Sequence, residues 1–336
     1  MALTRRKFVK LSGITALGLA TGVGLFGCGK DDKETNQSAN GSGSEQSKQK
    51  VKIAYLPITH ALPLYVANEL GKDTFKNVEL ELIKFGSWPE LLDALNTGNV
   101  DGASLLIELA MAAKEQGSAI SAVALGHRDG NVVVTSPDIK TQDDLKGKTF
   151  AIPHRLSTHN ILLYQTLKNA GLTFDDVTVI ELPPPEMPAA LAEGRIAGYV
   201  VAEPFGAISV AKEHGKVFHQ SEDLWQDSVC CGLVLRDEFI RDKQEAALEL
   251  LGEYVAAGEY IDGEGERVSE IAKQYMNVEQ EVLDLSLGWI SYNDLKIYEK
   301  DYGSLGQYMV DMGLSKRPPT YEEFVDNSLI DKVRTV

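Results

Sequence analysis

Hydrophobic residues in this chain alternate between short β-branched runs and stretches with helical spacing. Because strands and helices then follow each other in turn, the pattern predicts an α/β fold with largely parallel sheets. In the first part of the chain it predicts strands at 51–56, 78–85, 101–105 and 120–125. Between these strands it predicts helices at 62–70, from 87 to about 96, and at 107–116.

The second of these helices has a defined start. Ser87 is followed by Pro89 early in the first turn and by Glu90 three residues after Ser87. This spacing is typical of a capping box, in which the serine side chain and the glutamate side chain satisfy free backbone N–H groups. We therefore expect Ser87 to cap this helix.

The pattern restarts within 144–152, where a turn leads into a new first strand. It continues with helices at 160–170 and 187–193 and strands at 177–181 and 198–201. A second series of similar size indicates a second lobe. From Arg241 onward only helices are predicted, and we expect them to pack on the first lobe. We thus assign residues to lobe one, 51–136 and 232–336, and to lobe two, 137–231.

A chain of two α/β lobes has a cleft between them, where strand ends and helix N-termini converge and ligands bind. Receptors of this kind close by a hinge motion around the ligand.

Residues 1–27 have the layout of an export signal. Arg5 and Arg6 precede the apolar stretch 11–26, whose 16 residues are short for a membrane span. The arginine pair resembles the twin-arginine motif, with an ordinary secretory signal as the alternative. The sequence 25–28 resembles a lipobox, in which Cys28 carries a lipid; the alternatives are a stray thiol or a plain membrane anchor. The polar residues 28–50 are expected to form a flexible tether.

The charge and the cysteine content limit which partners are expected and what stabilises the fold. The chain has 33 basic and 49 acidic residues, and removal of residues 1–27 takes away four basic ones, which leaves a formal charge of about −20. Such a surface repels phosphate backbones, so nucleic acid is not expected as a partner. After Cys28 the only cysteines are Cys230 and Cys231. A disulfide between sequence neighbours is strained, so the fold rests on its hydrophobic core.

Five segments in this order resemble the nitrate, sulfonate, bicarbonate and taurine group of ABC-transporter substrate-binding proteins, which is related to thiamine-precursor binding proteins. They are YLPITHALPL at 55–64, GSW at 86–88, DLKGK at 144–148, LPPP at 182–185 and AEPF at 202–205. The resemblance covers 51 to about 325. It implies a two-lobed periplasmic-binding-protein-like fold of type II, with the ligand cleft between the lobes and the C-terminal helices on lobe one.

The resemblance also implies a function, namely the extracytoplasmic solute-binding component of an ABC importer. Such a protein is a monomer that works with an ABC permease and an ATPase and needs no cofactor. With the lipid on Cys28, it would be anchored at the outer face of the cytoplasmic membrane, in the periplasm or at the cell surface.

The nitrate and bicarbonate binders have the most similar motifs, which implies a small anion as the ligand. The site residues implied by matching position are Thr59, His60, Trp88, His159 and Glu203. Cleft-facing loops add His127, Arg128, His154 and Thr158. Each has a plainer structural alternative: loop histidines usually form surface hydrogen bonds, Trp88 can pack at a helix start, Arg128 can pair with Asp129, and Glu203 can cap a helix.

One position departs from the nitrate binders. They carry a lysine shortly before a Cys-Gly pair, and the matching position here is Val229. Without that fixed cation an oxyanion loses its strongest partner. His127 and Arg128 would then have to supply positive charge from another loop.

The adjacent cysteines support a second hypothesis. Cys230 and Cys231, together with His60 and His159, form a soft ligand set that suits zinc, copper(I) or an organometal. Side chains alternate along a strand, so both thiols reach one ion only in a turn or bulge. The structural alternative is that one cysteine is buried as a small hydrophobic residue.

An enzyme is the remaining alternative, because pyrimidine-precursor synthases of thiamine biosynthesis share this fold. Those enzymes carry a dense cysteine cluster and act inside the cell. This chain has no Ser-His-Asp order, phosphate loop or HExxH motif. We therefore predict a binding protein and not an enzyme, with a thiamine-precursor binding protein or a synthase-like enzyme as the further alternative.

Overall fold

The computed structural model describes residues 48–226, 228–263 and 265–334. The predicted export signal, the proposed lipid site Cys28 and nearly all of the tether lie outside the described residues. Residues Gln46–Val336 belong to one compact unit. Among the helices of the described part, none combines the length and the apolar character that a bilayer crossing requires.

The strands form two main sheets and a small additional pair. A first sheet has the order β2-β1-β3-β11-β4, a second sheet has the order β10-β6-β9-β7-β8, and β5 pairs with β12. The strands are β1 Gln49–Tyr55, β2 Val78–Lys84, β3 Gly102–Leu106, β4 Ile120–Leu125, β5 Arg128–Asp129, β6 Asn131–Thr135, β7 Thr149–Ile152, β8 Thr178–Glu181, β9 Gly198–Ala202, β10 Lys216–Gln220, β11 Cys231–Arg236 and β12 Ile290–Ser291.

Helices connect the strands of each sheet and fill the C-terminal part of the chain. They are α1 Leu62–Gly71, α2 Trp88–Asn96, α3 Ile107–Glu115, α4 Thr158–Asn169, α5 Met187–Ala192, α6 Phe205–Ala211, α7 Ser221–Leu224, α8 Asp237–Asp242, α9 Gln244–Asp262, α10 Val268–Tyr275, α11 Gln280–Leu287, α12 Glu299–Asp311, α13 Tyr321–Phe324 and α14 Ser328–Val333. The strands and helices predicted between 51 and 201 are therefore present, with ends shifted by two residues or fewer.

The chain passes between the two sheets twice. It leaves the first sheet after β4 through 126–130 and returns from α7 to β11. Each strand that follows a crossover is antiparallel to its neighbours: β6 to β9 and β10, and β11 to β3 and β4. The sheets are consequently mixed, and the expectation of largely parallel sheets is wrong. Repeated βαβ units give parallel pairs only as long as the chain stays in one sheet.

Strand β6 belongs to the second sheet, so the predicted lobe of residues 131–135 is wrong. The sequence pattern placed 131–135 in lobe one, yet these residues pair with β9 in the second sheet, from Asn131 opposite Ala202 to Thr135 opposite Gly198. Conversely, Cys231 was assigned to lobe two and pairs with Leu106 in the first sheet. The first crossover comes immediately after β4, and the turn at 136–148 follows the first strand of the second sheet. The remaining lobe boundaries stay a prediction.

The C-terminal helices pack against elements of both sheets. Helix α9 packs on α1, and α14 packs on α9 and β4, as predicted for helices that complete lobe one. Helix α11 instead packs on α6, which follows β9 of the second sheet. The Gln165 side chain of α4 donates a hydrogen bond to the hydroxyl of Tyr308 in α12. The end of the chain thus contacts elements associated with both sheets.

The start of α2 differs from the prediction in its hydrogen bonding. Ser87 has the extended conformation of an N-cap residue, but its side chain makes no capping hydrogen bond. The predicted capping box is therefore wrong here. Ser157 does cap α4, because its Oγ accepts a hydrogen bond of 3.2 Å from the Asn160 N–H.

Candidate functional site

Polar side chains from four segments meet at one buried place. The segments are the two crossovers, the turn after β1 and the start of α4. His60 lies in the turn after β1, His127 on the outward crossover and Cys230 at the end of the return crossover. His159 is the second residue of α4. Each of these side chains is at most 1% exposed. The site therefore collects groups from the segments that join the two sheets.

Four of these side chains could hold one metal ion. The ligand atoms of His60, His127, Cys230 and Cys231 all lie within 4.8 Å of one another. We call these four residues the His–Cys cluster. The predicted metal set contained His159 in place of His127. The His159 ring instead stacks parallel to the His60 ring at a centroid distance of 6.2 Å, whereas the His127 ring lies 3.6 Å from His60.

Backbone carbonyls fix the orientation of both cluster histidines. A carbonyl oxygen only accepts, so His127 Nδ1 carries the hydrogen that it donates to the Asp129 carbonyl at 2.7 Å. His60 Nε2 likewise carries a hydrogen that faces the Gly130 carbonyl oxygen, at 3.4 Å. When such a ring is neutral, its other nitrogen presents a lone pair. For His60 this nitrogen is Nδ1, which lies 3.8 Å from Cys230 Sγ.

The two adjacent thiols lie on the same side of the backbone. Their sulfur atoms are 3.8 Å apart, and both residues are buried. Cys230 precedes β11 and Cys231 is its first residue, so strand alternation does not separate them. Burial raises the pKa of Cys230, but hydrogen bonding from Cys231 and the neighbouring histidines outweighs it and lowers the pKa well below its usual value. Burial and the Cys230 sulfur raise the pKa of Cys231.

Gly126 permits the close approach of these segments. Its N–H donates to the Cys231 carbonyl at 2.8 Å, which ties the outward crossover to the start of β11. A Cβ atom at Gly126 would lie 2.5 Å from the His60 carbonyl oxygen. Any larger residue would therefore push the His60 turn away from the thiols.

Burial disfavours the charged form of two histidines of the site, His60 and His159. Burial, and secondly the neighbouring His127, lower the pKa of His60 to about 4. Burial also lowers the pKa of His159. Both ring nitrogens of His159 and the Nε2 atom of His127 lack a hydrogen-bond partner among the described residues. Neutral imidazoles with free nitrogens are available both as metal ligands and as hydrogen-bond donors.

A buried carboxyl group borders the cluster. Glu108 in the first turn of α3 lies 2.5 Å from the Thr158 hydroxyl, which also contacts the Val229 carbonyl. Burial, and secondly the Cys230 thiolate, raise the pKa of Glu108 well above its usual value. Because the hydroxyl has one hydrogen and the Val229 carbonyl only accepts, protonated Glu108 donates to Thr158, which donates to Val229. This chain of hydrogen bonds joins α3, α4 and the return crossover.

Glu203 forms a second buried carboxyl site beside the turn after β1. Its Oε2 accepts hydrogen bonds from the Ala207 N–H at 2.9 Å and the Ser286 hydroxyl at 3.0 Å. Its backbone carbonyl accepts from both the N–H and the hydroxyl of Thr59. Burial raises the pKa of the Glu203 carboxyl to about 8.

Comparison with known proteins identifies the family. Residues 44–276, more than half of the chain, match the NMT1-like family. The chain belongs to the NMT1-like family. The predicted resemblance is thereby confirmed.

Curated relatives of this NMT1-like chain include binding proteins of transporters. The nitrate/nitrite binding protein NrtA of Nostoc is 27% identical over 335 residues, which cover 87% of this chain and 75% of the relative. The taurine-binding periplasmic protein of Escherichia coli is 30% identical over 238 residues, which cover 66% and 72%. The nitrate import ATP-binding protein NrtC of Synechocystis is 28% identical over 67% of this chain, which spans only 37% of that relative's length.

Solved structures confirm the fold of the NMT1-like chain. The ligand-binding component of an ABC-type import system from Staphylococcus aureus, crystallised with zinc bound, has a TM-score of 0.81 and 38% identity, and the match covers 85% of this chain and 99% of that one. The nitrate-binding protein NrtA of Synechocystis has a TM-score of 0.74 at 17% identity and covers 86% and 89%. The predicted two-lobed periplasmic-binding-protein fold is thus confirmed.

Three predicted site residues of the NMT1-like chain make other contacts. Arg128 donates hydrogen bonds of 2.9 Å to the carbonyls of Asp294 and Lys296, so it holds the C-terminal segment and its guanidinium is engaged there. His154 is half-buried, and its Nδ1 accepts a hydrogen bond from the Leu156 N–H. Trp88 is 2% exposed within the hydrophobic core. Ligand roles for these three residues stay predictions.

Two polar residues of the site were not predicted. The carboxyl of Glu108 interrupts the otherwise apolar run 105–113, and that interruption was the available signal. Asn131, the first residue of β6, is fully buried, and its Oδ1 lies 3.6 Å from Cys230 Sγ. Its Nδ2 has no hydrogen-bond partner among the described residues. A buried amide with an unused donor points into the same place as the thiols and imidazoles.

Proposed function

We propose that this chain is the extracytoplasmic solute-binding component of an ABC importer, and that it holds its solute at the His–Cys cluster and the adjoining Thr158, His159 and Asn131. One observation carries this proposal. Buried polar side chains from both crossovers, from the turn after β1 and from α4 converge on one place, and several keep unused donors or lone pairs. Buried polar groups are normally paired, so such a set favours a bound guest.

The relatives support the class of protein. Those matched over most of their length are named as binding proteins for nitrate or taurine, and the Staphylococcus aureus structure is described as the ligand-binding component of an import system. An ABC permease and an ATPase are the partners that follow from this role. The relatives so named give no support to the synthase-like alternative.

We further propose that Cys28 carries a lipid that anchors the mature chain at the outer face of the cytoplasmic membrane. The arginine pair, the short apolar stretch and the cysteine at its end support this location. In cell fractionation, the wild-type chain is expected in the detergent phase and Cys28→Ser in the aqueous phase. Equal partition of the two proteins would contradict the anchor.

A small anion of the nitrate, sulfonate or bicarbonate type is the first candidate solute. The names of the nitrate and taurine relatives support it, and so do the free donors of the site. Asn131 Nδ2 and an N–H of His159 have no partner among the described residues, and such groups hydrogen-bond an oxyanion without a fixed charge.

A soft metal ion, or a small complex of one, is the second candidate, and a specific observation favours it. The His–Cys cluster places four nitrogen and sulfur atoms within 4.8 Å of one another. The described residues that are buried and polar or charged include no lysine or arginine, so no buried cation competes for the thiolates. The related Staphylococcus aureus structure contains zinc.

A thermal-shift screen tests the proposed function. Nitrate, bicarbonate, taurine, alkanesulfonates, thiamine precursors and divalent metals are added singly to the full chain in detergent. We expect one class to raise Tm, since a ligand at 100 times its Kd stabilises by about 2.7 kcal/mol. The shift should disappear in His60→Gln.

The matched control is His214→Gln, because His214 is exposed and lies outside the site. This variant should keep the full shift. Absence of a shift with every compound, or an equal shift in His60→Gln and wild type, would contradict solute binding at this place.

A further inference from the structure

We propose that the His–Cys cluster is a four-coordinate site for a soft divalent cation of the zinc type, with His60, His127, Cys230 and Cys231 as its four ligands. This inference deepens the proposed function and rests on it, because it names the class of solute that the same site takes. The cation would be the cargo of the importer. His127 replaces the His159 of the sequence-based set.

The separation of the sulfur atoms selects the coordination geometry. With Zn–S bonds of about 2.3 Å, the edge between two sulfurs of a tetrahedral complex is about 3.8 Å, whereas a linear complex would need about 4.6 Å. The observed Sγ–Sγ distance is 3.8 Å. Two thiols already spaced at a tetrahedral edge favour a four-coordinate ion over a two-coordinate one.

The imidazoles complete the same tetrahedron. With Zn–N bonds of about 2.0–2.1 Å, a nitrogen–sulfur edge is about 3.6 Å. His60 Nδ1 lies 3.8 Å from Cys230 Sγ, and no two ligand atoms of the cluster are more than 4.8 Å apart. A contraction of about 1 Å along the longest edge therefore closes the site, and rotation of an imidazole about its side-chain torsions supplies a movement of that size.

The outer hydrogen bonds of the histidines match those of metal ligands. Metal-bound histidines usually donate their second ring N–H to a carbonyl or a carboxylate, which fixes the tautomer. His127 does so to the Asp129 carbonyl and His60 to the Gly130 carbonyl. Both carbonyls belong to the outward crossover, next to His127 itself. Two such contacts on one short segment indicate that the ring orientations are built into the fold.

Charge balance favours a divalent ion. Two thiolates and two neutral imidazoles carry a charge of −2, so a divalent cation gives a neutral complex. All four residues are at most 1% exposed, and a buried site strongly disfavours net charge. A monovalent ion would leave one uncompensated negative charge. The buried polar residues of the described part include no lysine or arginine to neutralise it.

Cobalt(II) substitution tests this inference directly. The full chain is purified in detergent with a non-thiol reductant, stripped with a chelator and titrated with Co²⁺. We expect one Co²⁺ per chain, intense visible absorption typical of tetrahedral cobalt and a thiolate charge-transfer band in the near ultraviolet. Zn²⁺ should displace the cobalt and abolish both features. A weak spectrum of the octahedral type, or no charge-transfer band, would overturn the inference.

Variants identify the ligands. Cys230→Ser and Cys231→Ser should each remove most of the charge-transfer intensity, and His127→Gln should weaken Co²⁺ binding more than about 10-fold. Cys28→Ser and His214→Gln are the matched controls and should leave the spectrum unchanged. Unchanged spectra in folded Cys230→Ser and Cys231→Ser would overturn the assignment. If these variants fail to fold, the wild-type spectrum alone decides.

The same preparation separates failure of this inference from failure of the proposed function. If the chelator-treated chain binds one nitrate, sulfonate or bicarbonate and no Co²⁺ or Zn²⁺, the metal inference is overturned and solute binding stands. If it binds neither class, and none of the other compounds in the thermal-shift screen, both the metal inference and the proposed function are overturned. Tight binding of one divalent ion with the tetrahedral thiolate spectrum supports both.

Discussion

The buried carboxyl group of Glu203 makes the free energy of unfolding depend on pH. The unfolded group loses its proton near pH 4.5, whereas the folded group keeps it until about pH 8. Rising pH between these values therefore favours the unfolded chain, and the stabilising effect present below pH 4.5 is lost as pH rises to 8. At about 1.4 kcal/mol per pKa unit, this loss is about 5 kcal/mol.

Glu203→Gln should remove this dependence while keeping an oxygen that accepts from Ala207 and Ser286. We expect the free energy of unfolding of the variant, relative to wild type, to increase as pH rises from 5 to 8. Denaturant titrations at several pH values measure it. Glu266→Gln, at an exposed position, is the control and should follow wild type at each pH. A difference between Glu203→Gln and wild type that stays constant over this range would disprove the buried protonated carboxyl.

At the same scale, the sequence indicated most of the residues that form the site. It indicated only in part which of them lie next to each other. Unusual residues in loops, such as His60 and the adjacent cysteines, stand out in any sequence. The choice of His127 over His159 beside the thiols depends on how two crossovers pack, which periodicity does not describe. Glu108 was missed because an acidic residue in the first turn of a helix is ordinary.

At the scale of elements, hydrophobic periodicity located the strands and helices of both series because each has one strongly apolar face or run. Pairing direction was not predictable in the same way. Strands β6 and β11 have the same apolar character as parallel strands of their sheets such as β3 and β9, and only the crossovers before them reverse their direction. The cap of α2 was predicted from spacing alone, yet the Ser87 side chain makes no capping hydrogen bond.

The crossovers also explain why a site forms here. Backbone that leaves a sheet has polar groups to satisfy, and in this chain the carbonyls of Gly130, Val229 and Cys231 bind side chains or backbone of the site. The elements that connect the sheets therefore also orient the residues proposed to hold the solute.

At the scale of the whole molecule, a solute larger than a single ion would contact groups associated with both sheets. Thr158 and His159 begin the helix after β7 of the second sheet, whereas His60 follows β1 of the first. A solute held by both would favour the closed arrangement of a hinged, two-lobed receptor. Binding and closure would then be the same event, as import by a permease requires.

A crystal structure of the chain with the solute that gives the largest thermal shift tests the central claim most directly. We predict density for one solute or ion in contact with His60 and Cys230, and a solute larger than a single ion should also contact Thr158 or His159. A solute bound only on the outer surface of either sheet, with the His–Cys cluster unchanged, would contradict the account.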